Sequence, residues 1–154
     1  MRQVHSTTYS IATRVAALLC LLGSIGFIIP AHAASGKLLV KVDVSDQRMT
    51  VYQNGKRRFS WKVSTARRGK VTPRGQWKAK WLSRNHRSSR YNNAPMPYSI
   101  FYSGNFAIHG TYSIKKLGRP ASAGCIRLHP KNAAVLFSLA KSYGLKNTVV
   151  SVRN

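Results

Sequence analysis

From Leu38 onward the apolar residues of this chain recur at every second position, and that period governs what the chain can fold into. In LLVKVDV, Leu38, Val40, Val42 and Val44 alternate with Leu39, Lys41 and Asp43, the pattern of a strand with one buried face. MTVYQNGKRRFSWKV gives two extended runs about Asn54-Gly55, a pair that suits a type I′ hairpin because both central positions need positive φ. QWKAKWL alternates again, with Trp77, Ala79 and Trp81 on one side, and YSIFYS, NFAIH and NTVVSV add short β-rich runs set apart by Gly, Asn and Pro. The aromatics of these runs are expected in the core rather than in a ligand box. One segment departs from the pattern: after Pro130, a good first helical residue, Ala133, Leu136, Phe137 and Ala140 fall at helical spacing until Gly144. The expected fold is mainly β, sandwich- or barrel-like, with one amphipathic helix and no internal repeat.

Ahead of the strands, Arg2 and Arg14 precede the apolar run AALLCLLGSIGFIIP, and Ala31-His32-Ala33 follows it. A charged, an apolar and a small-residue region in that order make a secretory signal. The run from Val15 to Ile29 is shorter than the ~20 apolar residues a comfortable membrane span needs. Leu18 and Leu19 before Cys20 do not suit lipid attachment, which asks for a small residue there. The expectation is a signal peptide over residues 1–33, cleaved after Ala33, and a single exported domain over residues 34–154. Cleavage removes Cys20 and leaves Cys125 as the sole cysteine, so no intramolecular disulfide can form and a lone thiol faces an oxidising compartment.

Charge restricts the partners. Lys and Arg number 26 against 2 Asp and Glu, a formal charge of +24. Without Arg2 and Arg14 the exported domain would still carry +22. Such a surface seeks polyanions. Export directs it to the anionic cell envelope, lipid headgroups or a carboxylate-bearing wall polymer, and not to nucleic acid. Asp43 and Asp46 are the only carboxylates. Glycosidase chemistry with two flanking carboxylates has poor prospects on this chain, as do carboxylate-rich calcium or magnesium sites. RRGKVTPRGQ reads as a loop in which Pro73 and Gly75 bracket a turn. SRNHRSSRYNNAPMP is the longest stretch without periodicity, expected as a binding loop or lid, with disorder the equal alternative.

The chemistry concentrates in HGTYSIKKLGRPASAGCIRL, His109 to Leu128. A thiolate attacks a carbonyl, and a cysteine near its free pKa of ~8.5 needs a base or positive surroundings to ionise. His109, at the end of an expected strand, can be that base, and Arg119 and Arg127 add positive field. Gly124 permits an unusual backbone angle, so amides of the Ser122-Ala123-Gly124-Cys125 turn can converge on an oxyanion. This is a Cys/His acyl-transfer arrangement. With carboxylates so scarce, the group that orients the histidine is expected to be a backbone carbonyl, Gly110 being nearest. A zinc site from Cys125, His129, His109 and His86 has unconvincing spacing and lacks a second cysteine. No metal or cofactor is expected.

His109-Gly110-Thr111, Leu117-Gly118 and Ser122-x-Gly124-Cys125-Ile126-Arg127-Leu128 together resemble the signature of the L,D-transpeptidase catalytic-domain family of bacterial cell-wall enzymes. Upstream, Val63-Ser64-Thr65 with Thr72-Pro73-x-Gly75, and Met96-Pro97-Tyr98, are similar to the family's earlier segments. The resemblance runs from about Lys37 to Val152. It implies a mostly β domain whose cysteine is acylated by a tetrapeptide stem of peptidoglycan at the L-centre of meso-diaminopimelate or its equivalent. The terminal D-alanine leaves, and the acyl group passes to an amine on another stem, a D-amino acid or a protein lysine. Carried onto this chain, Cys125 is the nucleophile, His109 moves the proton, and the Gly110 carbonyl holds the imidazole. Amides near Ala123, Gly124 and Cys125 form the oxyanion hole, Arg127 and Ser122 contact substrate, and carbapenems are candidate inhibitors. The position before Gly124, often histidine in the family, is Ala123 here, so no second imidazole is carried over. Two rival readings remain: an L,D-carboxypeptidase or amidase that hydrolyses the same acyl-enzyme, and a non-enzymatic cationic envelope-binding module.

Overall fold

The computed structural model describes residues 36–154; the segment expected as a signal peptide, with Cys20 and the cleavage position after Ala33, lies outside the described residues. Among the described residues nine strands form two sheets. The first holds β1 (Leu38–Asp43), β2 (Arg48–Gln53), β3 (Lys56–Lys62), β4 (Gly75–Lys78) and β9 (Thr148–Arg153), in the order β3-β2-β1-β9-β4. The second holds β5 (Trp81–Arg87), β6 (Pro95–Ser103), β7 (Phe106–Gly110) and β8 (Ile126–Leu128), in that order. β1 pairs in parallel with β9, β7 in parallel with β8, and the remaining pairs are antiparallel.

The alternation in the sequence is the alternation of the sheets. Leu38, Val40 and Val42 of β1, Met49 and Val51 of β2, and Val150 and Val152 of β9 point to one side and are buried. They share a core with Ile100, Tyr102, Ile108, Ile126 and Leu128 of the second sheet. Two sheets packed on a common core make a sandwich, and no barrel closes. Asn54 and Gly55 turn the β2–β3 hairpin at φ 51° and 79°, as that residue pair requires. The helix, α1 (Pro130–Tyr143), begins at Pro130 and buries Ala133, Leu136, Phe137 and Ala140 in the same core. His129 caps its start by accepting from the Lys131 amide at 3.2 Å, and Gly144 ends it at φ 80°.

Two expectations change. QWKAKWL is not one strand. The Ala79 amide donates to Thr148 O in the first sheet and the Lys80 amide to Phe101 O in the second, so the chain switches sheets between these two residues. Trp77 packs inward on Tyr102 while Trp81 stacks on Phe101, with ring centroids 3.7 Å apart. Backbone pairing overrides the side-chain period there. The aperiodic stretch SRNHRSSRYNNAPMP is also ordered differently: its ends belong to β5 and β6, and only residues 88–94 form the turn between them. His86 packs edge-on against Trp81 and Phe101, an aromatic cluster that fastens β5 to β6 and that no binary pattern encodes.

Gln47, in the β1–β2 turn at φ 49°, is the polar tie between the first sheet and the loop that follows β3. Its Nε2 donates to Val44 O and Thr65 Oγ1, both at 2.6 Å, and its Oε1 accepts from the Thr65 amide at 2.9 Å. Gln47 and Thr65 are both buried. Replacing Gln47 by Ala leaves the Thr65 amide buried without its acceptor, at a cost of about 1–3 kcal/mol. The expected result is a lower urea midpoint at unchanged m-value; an unchanged midpoint would show that the tie contributes nothing.

Candidate active site

The site lies on the face of the second sheet that turns away from the shared core. Ile108 pairs with Ile126 and His109 with Arg127 across the parallel β7–β8 ladder. Ile108 and Ile126 enter the core, so period two sends His109, Arg127 and Cys125 to the opposite face together. All three line one cavity of about 460 Å³. Tyr91 of the β5–β6 turn and Tyr112 after β7 also line it and are exposed.

His109 is 5 % exposed, and its Nδ1 lies 2.7 Å from the Gly110 carbonyl oxygen. A carbonyl can only accept, so Nδ1 carries the proton and Nε2 is the basic nitrogen. The expected carbonyl therefore stands where a carboxylate sits in a triad. Burial lowers the imidazole pKa from 6.5 to about 4, against the Gly110 carbonyl, which raises it; Arg127 and His86 lower it further. Cys125 is half-buried against Met96, Phe101 and Ala107, its Sγ 4.0 Å from Asn105 O. Burial pushes its thiol pKa up, while a bond from the Ala107 backbone and the charge of Arg127 pull it down. At neutral pH both groups are therefore uncharged.

The turn before Cys125 is held from outside. Ser64 and Arg127 exchange both backbone bonds, at 3.0 and 2.9 Å, and Thr65 O accepts from the Ala121 and Ser122 amides. Thr72, wholly buried, accepts from the Ala66 amide and donates to Gly124 O at 2.8 Å. Nothing in the sequence marks Thr72 apart from its place in the loop motif. Gly124 sits at φ 137°, where a Cβ would lie 2.5 Å from Phe106 Cε1 and 2.8 Å from Val71 O, so only glycine fits.

The expected site residues separate in position. Cys125, His109, Ala123, Ser122 and Arg127 line the cavity, while Gly110 and Gly124 do not. The Gly124 amide donates to Ser122 Oγ at 2.9 Å, so it is engaged within the turn, and Ser122 is wholly buried with its hydroxyl turned to that bond. The Ala123 and Cys125 amides have no acceptor among the described residues. Arg119 contributes its carbonyl, which accepts from Ser64 Oγ, and does not line the cavity. His129 caps α1 and His86 sits in the aromatic cluster; no group of three metal-ligating side chains occurs among the described residues.

Residues 37–152 match the YkuD family, the L,D-transpeptidase catalytic domain, and the chain belongs to that family. Solved structures agree on the fold. An L,D-transpeptidase from Stackebrandtia nassauensis superposes with a TM-score of 0.67 at 26% identity, over 77% of this chain and 56% of that one. The L,D-transpeptidase LdtMt1 in complex with imipenem superposes at 0.69 and 22% identity, over 77% and 59%. L,D-transpeptidase 3 from Mycobacterium tuberculosis, with a faropenem-derived adduct, superposes at 0.67 and 16% identity, over 77% and 61%. This chain thus spans less than two thirds of each of those proteins. No curated protein matches it in sequence.

The buried imidazole sets an acid limit on stability. The unfolded chain protonates His109 near 6.5 and the folded protein only near 4, so folding is undisturbed above about pH 6.5 and loses stability as pH falls to 4. A gap of that size corresponds to about 3 kcal/mol. Asp43, whose pKa is lowered chiefly by the Ser45 hydroxyl, titrates below this window. In urea titrations between pH 7 and 4, the fall in unfolding free energy should be much smaller in His109→Gln than in the parent; equal slopes would show that His109 is not the group responsible.

Proposed function

We propose that this protein is an exported cysteine transpeptidase acting on peptidoglycan stem peptides. The observation that carries the reading is the convergence of Cys125 and a tautomer-locked His109 in one cavity, beside two amides without an acceptor among the described residues. A stem-peptide carbonyl enters beside Cys125; Sγ attacks as its proton passes to His109 Nε2, and the amide C–N bond breaks as that proton passes on to the departing D-alanine amine. The thiolate and imidazolium form together, so each offsets the other's burial. The Ala123 and Cys125 amides are the donors assigned to the developing oxyanion, on a turn whose shape needs Gly124 at φ 137°. An acceptor amine, deprotonated by His109, then takes the acyl group from sulfur. Which amine serves, on a second stem, a D-amino acid or a protein lysine, is a matter of the acceptor side of the cavity.

The family membership supports this chemistry, and the bound imipenem and faropenem-derived adduct in the related structures support β-lactams, carbapenems among them, as acylating inhibitors of Cys125. The apolar segment ahead of Ala34 supports export, and the +22 charge left without Arg2 and Arg14 supports retention at an anionic envelope surface. Hydrolysis of the same acyl-enzyme is the second reading, since water can replace the amine. A purely cationic binding module has no use for a locked imidazole beside a thiol.

Intact-mass measurement after incubation with imipenem should show one covalent adduct, absent in Cys125→Ala, whose fold a thiol-to-methyl change on a turn should leave intact. Adduct formation should fall at least 100-fold in His109→Ala. With a tetrapeptide stem, added acceptor amine should yield cross-linked product in place of tripeptide; tripeptide alone at every amine concentration would make the protein a carboxypeptidase. Undiminished stem turnover by Cys125→Ala would end the acyl-enzyme reading.

A further inference from the structure

The first sheet turns one face to the core; its other face holds two adjoining depressions, of about 200 and 440 Å³, that share Lys41 and Tyr52. The strand registers set the side chains of this outward face in rows that cross the sheet from β3 to β4. One row reads Arg57, Tyr52, Leu39, Val149, Lys78: an apolar stretch with a cation at either edge. Beside it runs Ser60, Thr50, Lys41, Ser151, Gln76: short hydroxyls and an amide around one ammonium. Five strands about 4.8 Å apart make each row roughly 19 Å long. A third row places Asp43 between Arg48 and Arg153, and Asp46 lines the same depression. The chain's carboxylates thus gather at that end, where Asp43 already accepts from the Ser45 hydroxyl and the Asp46 amide. The first two rows hold cations alone. Lys41 Nζ lies 5.2 Å from the centre of the Tyr52 ring, so cation and aromatic face share one spot.

A partner that matches both rows has apolar faces, hydroxyls and anions together. A glycan carrying carboxylates has all three: the C–H faces of its rings suit Tyr52, Leu39 and Val149, its hydroxyls suit the Ser, Thr and Gln side chains, and its carboxylates suit the cations. A lipid bilayer is a poorer match, because Leu39, Tyr52 and Val149 are half-buried and do not project as an inserting apolar face would. We propose that the outward face of the first sheet is a docking site for a carboxylate-bearing glycan strand of the cell wall, with Tyr52 and Leu39 beneath its rings and Lys41 and Lys78 at its carboxylates. The reading of an exported protein that acts on the wall, on which this inference rests, supplies the source of the strand. The docking face and the cavity of Cys125 lie on different sheets with the core between them, and no residue lines both the larger depression and the cavity. A docked strand therefore leaves the cavity free for a stem peptide.

The test measures Kd at one fixed salt concentration for polygalacturonate, a glycan with a carboxylate on every sugar, for neutral dextran, for poly-glutamate, which has carboxylates and no sugars, and for phosphatidylglycerol vesicles. The parent protein should bind polygalacturonate on the order of 10-fold more tightly than dextran or poly-glutamate. Lys41→Gln with Lys78→Gln should weaken that binding about 10-fold. The same loss of charge at Lys131 and Lys141, exposed on α1, should weaken it far less. Tyr52→Ser, which leaves the net charge alone, should weaken polygalacturonate about 5-fold and leave poly-glutamate unchanged. Thermal midpoints report whether each variant is folded; Lys78 is exposed, so Lys78→Gln stays informative if the Tyr52 variant folds poorly. No binding of polygalacturonate by the parent, equal affinity for polygalacturonate and poly-glutamate, an equal loss in the α1 variant, or tighter binding to the vesicles would overturn the proposal. Imipenem acylation of Cys125, read on the same samples, should be unchanged in the sheet variants. Docking as expected without acylation in the parent would sink the enzyme reading and still support the docking site.

Discussion

The backbone clasp between residues 63–67 and the turn leading to Cys125 is the interaction on which the site depends. The cysteine turn has no regular structure of its own, and its shape is imposed by a neighbour more than fifty residues away in sequence. Gly118 N donates to Val63 O, Ser64 and Arg127 bond each other twice, Ala121 and Ser122 donate to Thr65 O, and Arg67 N donates to Ser122 O. Thr72 closes the far end by binding the Gly124 carbonyl, and Gln47 holds Thr65 from below. These groups are mostly buried, and each lost bond would leave a desolvated donor or acceptor, so the clasp is held as a unit. A glycine at φ 137° pressed against Phe106 persists only when its surroundings over-determine it, and the clasp is that surrounding.

The scarcity of acids reaches into the mechanism. A carboxylate behind an imidazole both orients it and raises its basicity. The Gly110 carbonyl orients His109 equally well, through a 2.7 Å bond, but as a dipole it offsets little of the desolvation that brings the imidazole pKa to about 4. The proposed nucleophile rests on an apolar patch that raises its own pKa. Both groups are therefore neutral at neutral pH. In the proposed mechanism charge is created during attack, in a cavity lined by Arg90 and Arg127 and by neither Asp43 nor Asp46.

Much of the fold was legible because the relevant signals are local and periodic. Leu38, Val40 and Val42 alternate, Asn54-Gly55 needs one kind of turn, and Pro130 to Gly144 carries both helix boundaries and the buried stripe. Cys125 and His109 stood out through the combination of residues around them, and Gly110 through the absence of carboxylates. The switch at Ala79–Lys80 was hidden because it is decided by hydrogen bonds to Thr148 and Phe101, residues remote in sequence. Gln47 was hidden for the same reason, and Thr72, although part of the upstream motif, gave no sign of the distant groups it meets. The engagement of Gly124 N by Ser122 Oγ is short-range, yet it follows from a backbone angle that the clasp dictates.

The parallel pairing of β7 and β8 joins folding to chemistry most directly. Ile108 and Ile126, side by side in the ladder, are driven into the core by their apolar surface. Because side chains alternate, the same register sends His109, Arg127 and Cys125 to the other face. A slip of one residue would expose the isoleucines and drive the imidazole and guanidinium into the sandwich, at a cost the hydrophobic core could not tolerate. The two isoleucines thus set the position of the proposed reactive groups from the opposite face, and the force that folds the sheet also brings the thiol and imidazole to one face.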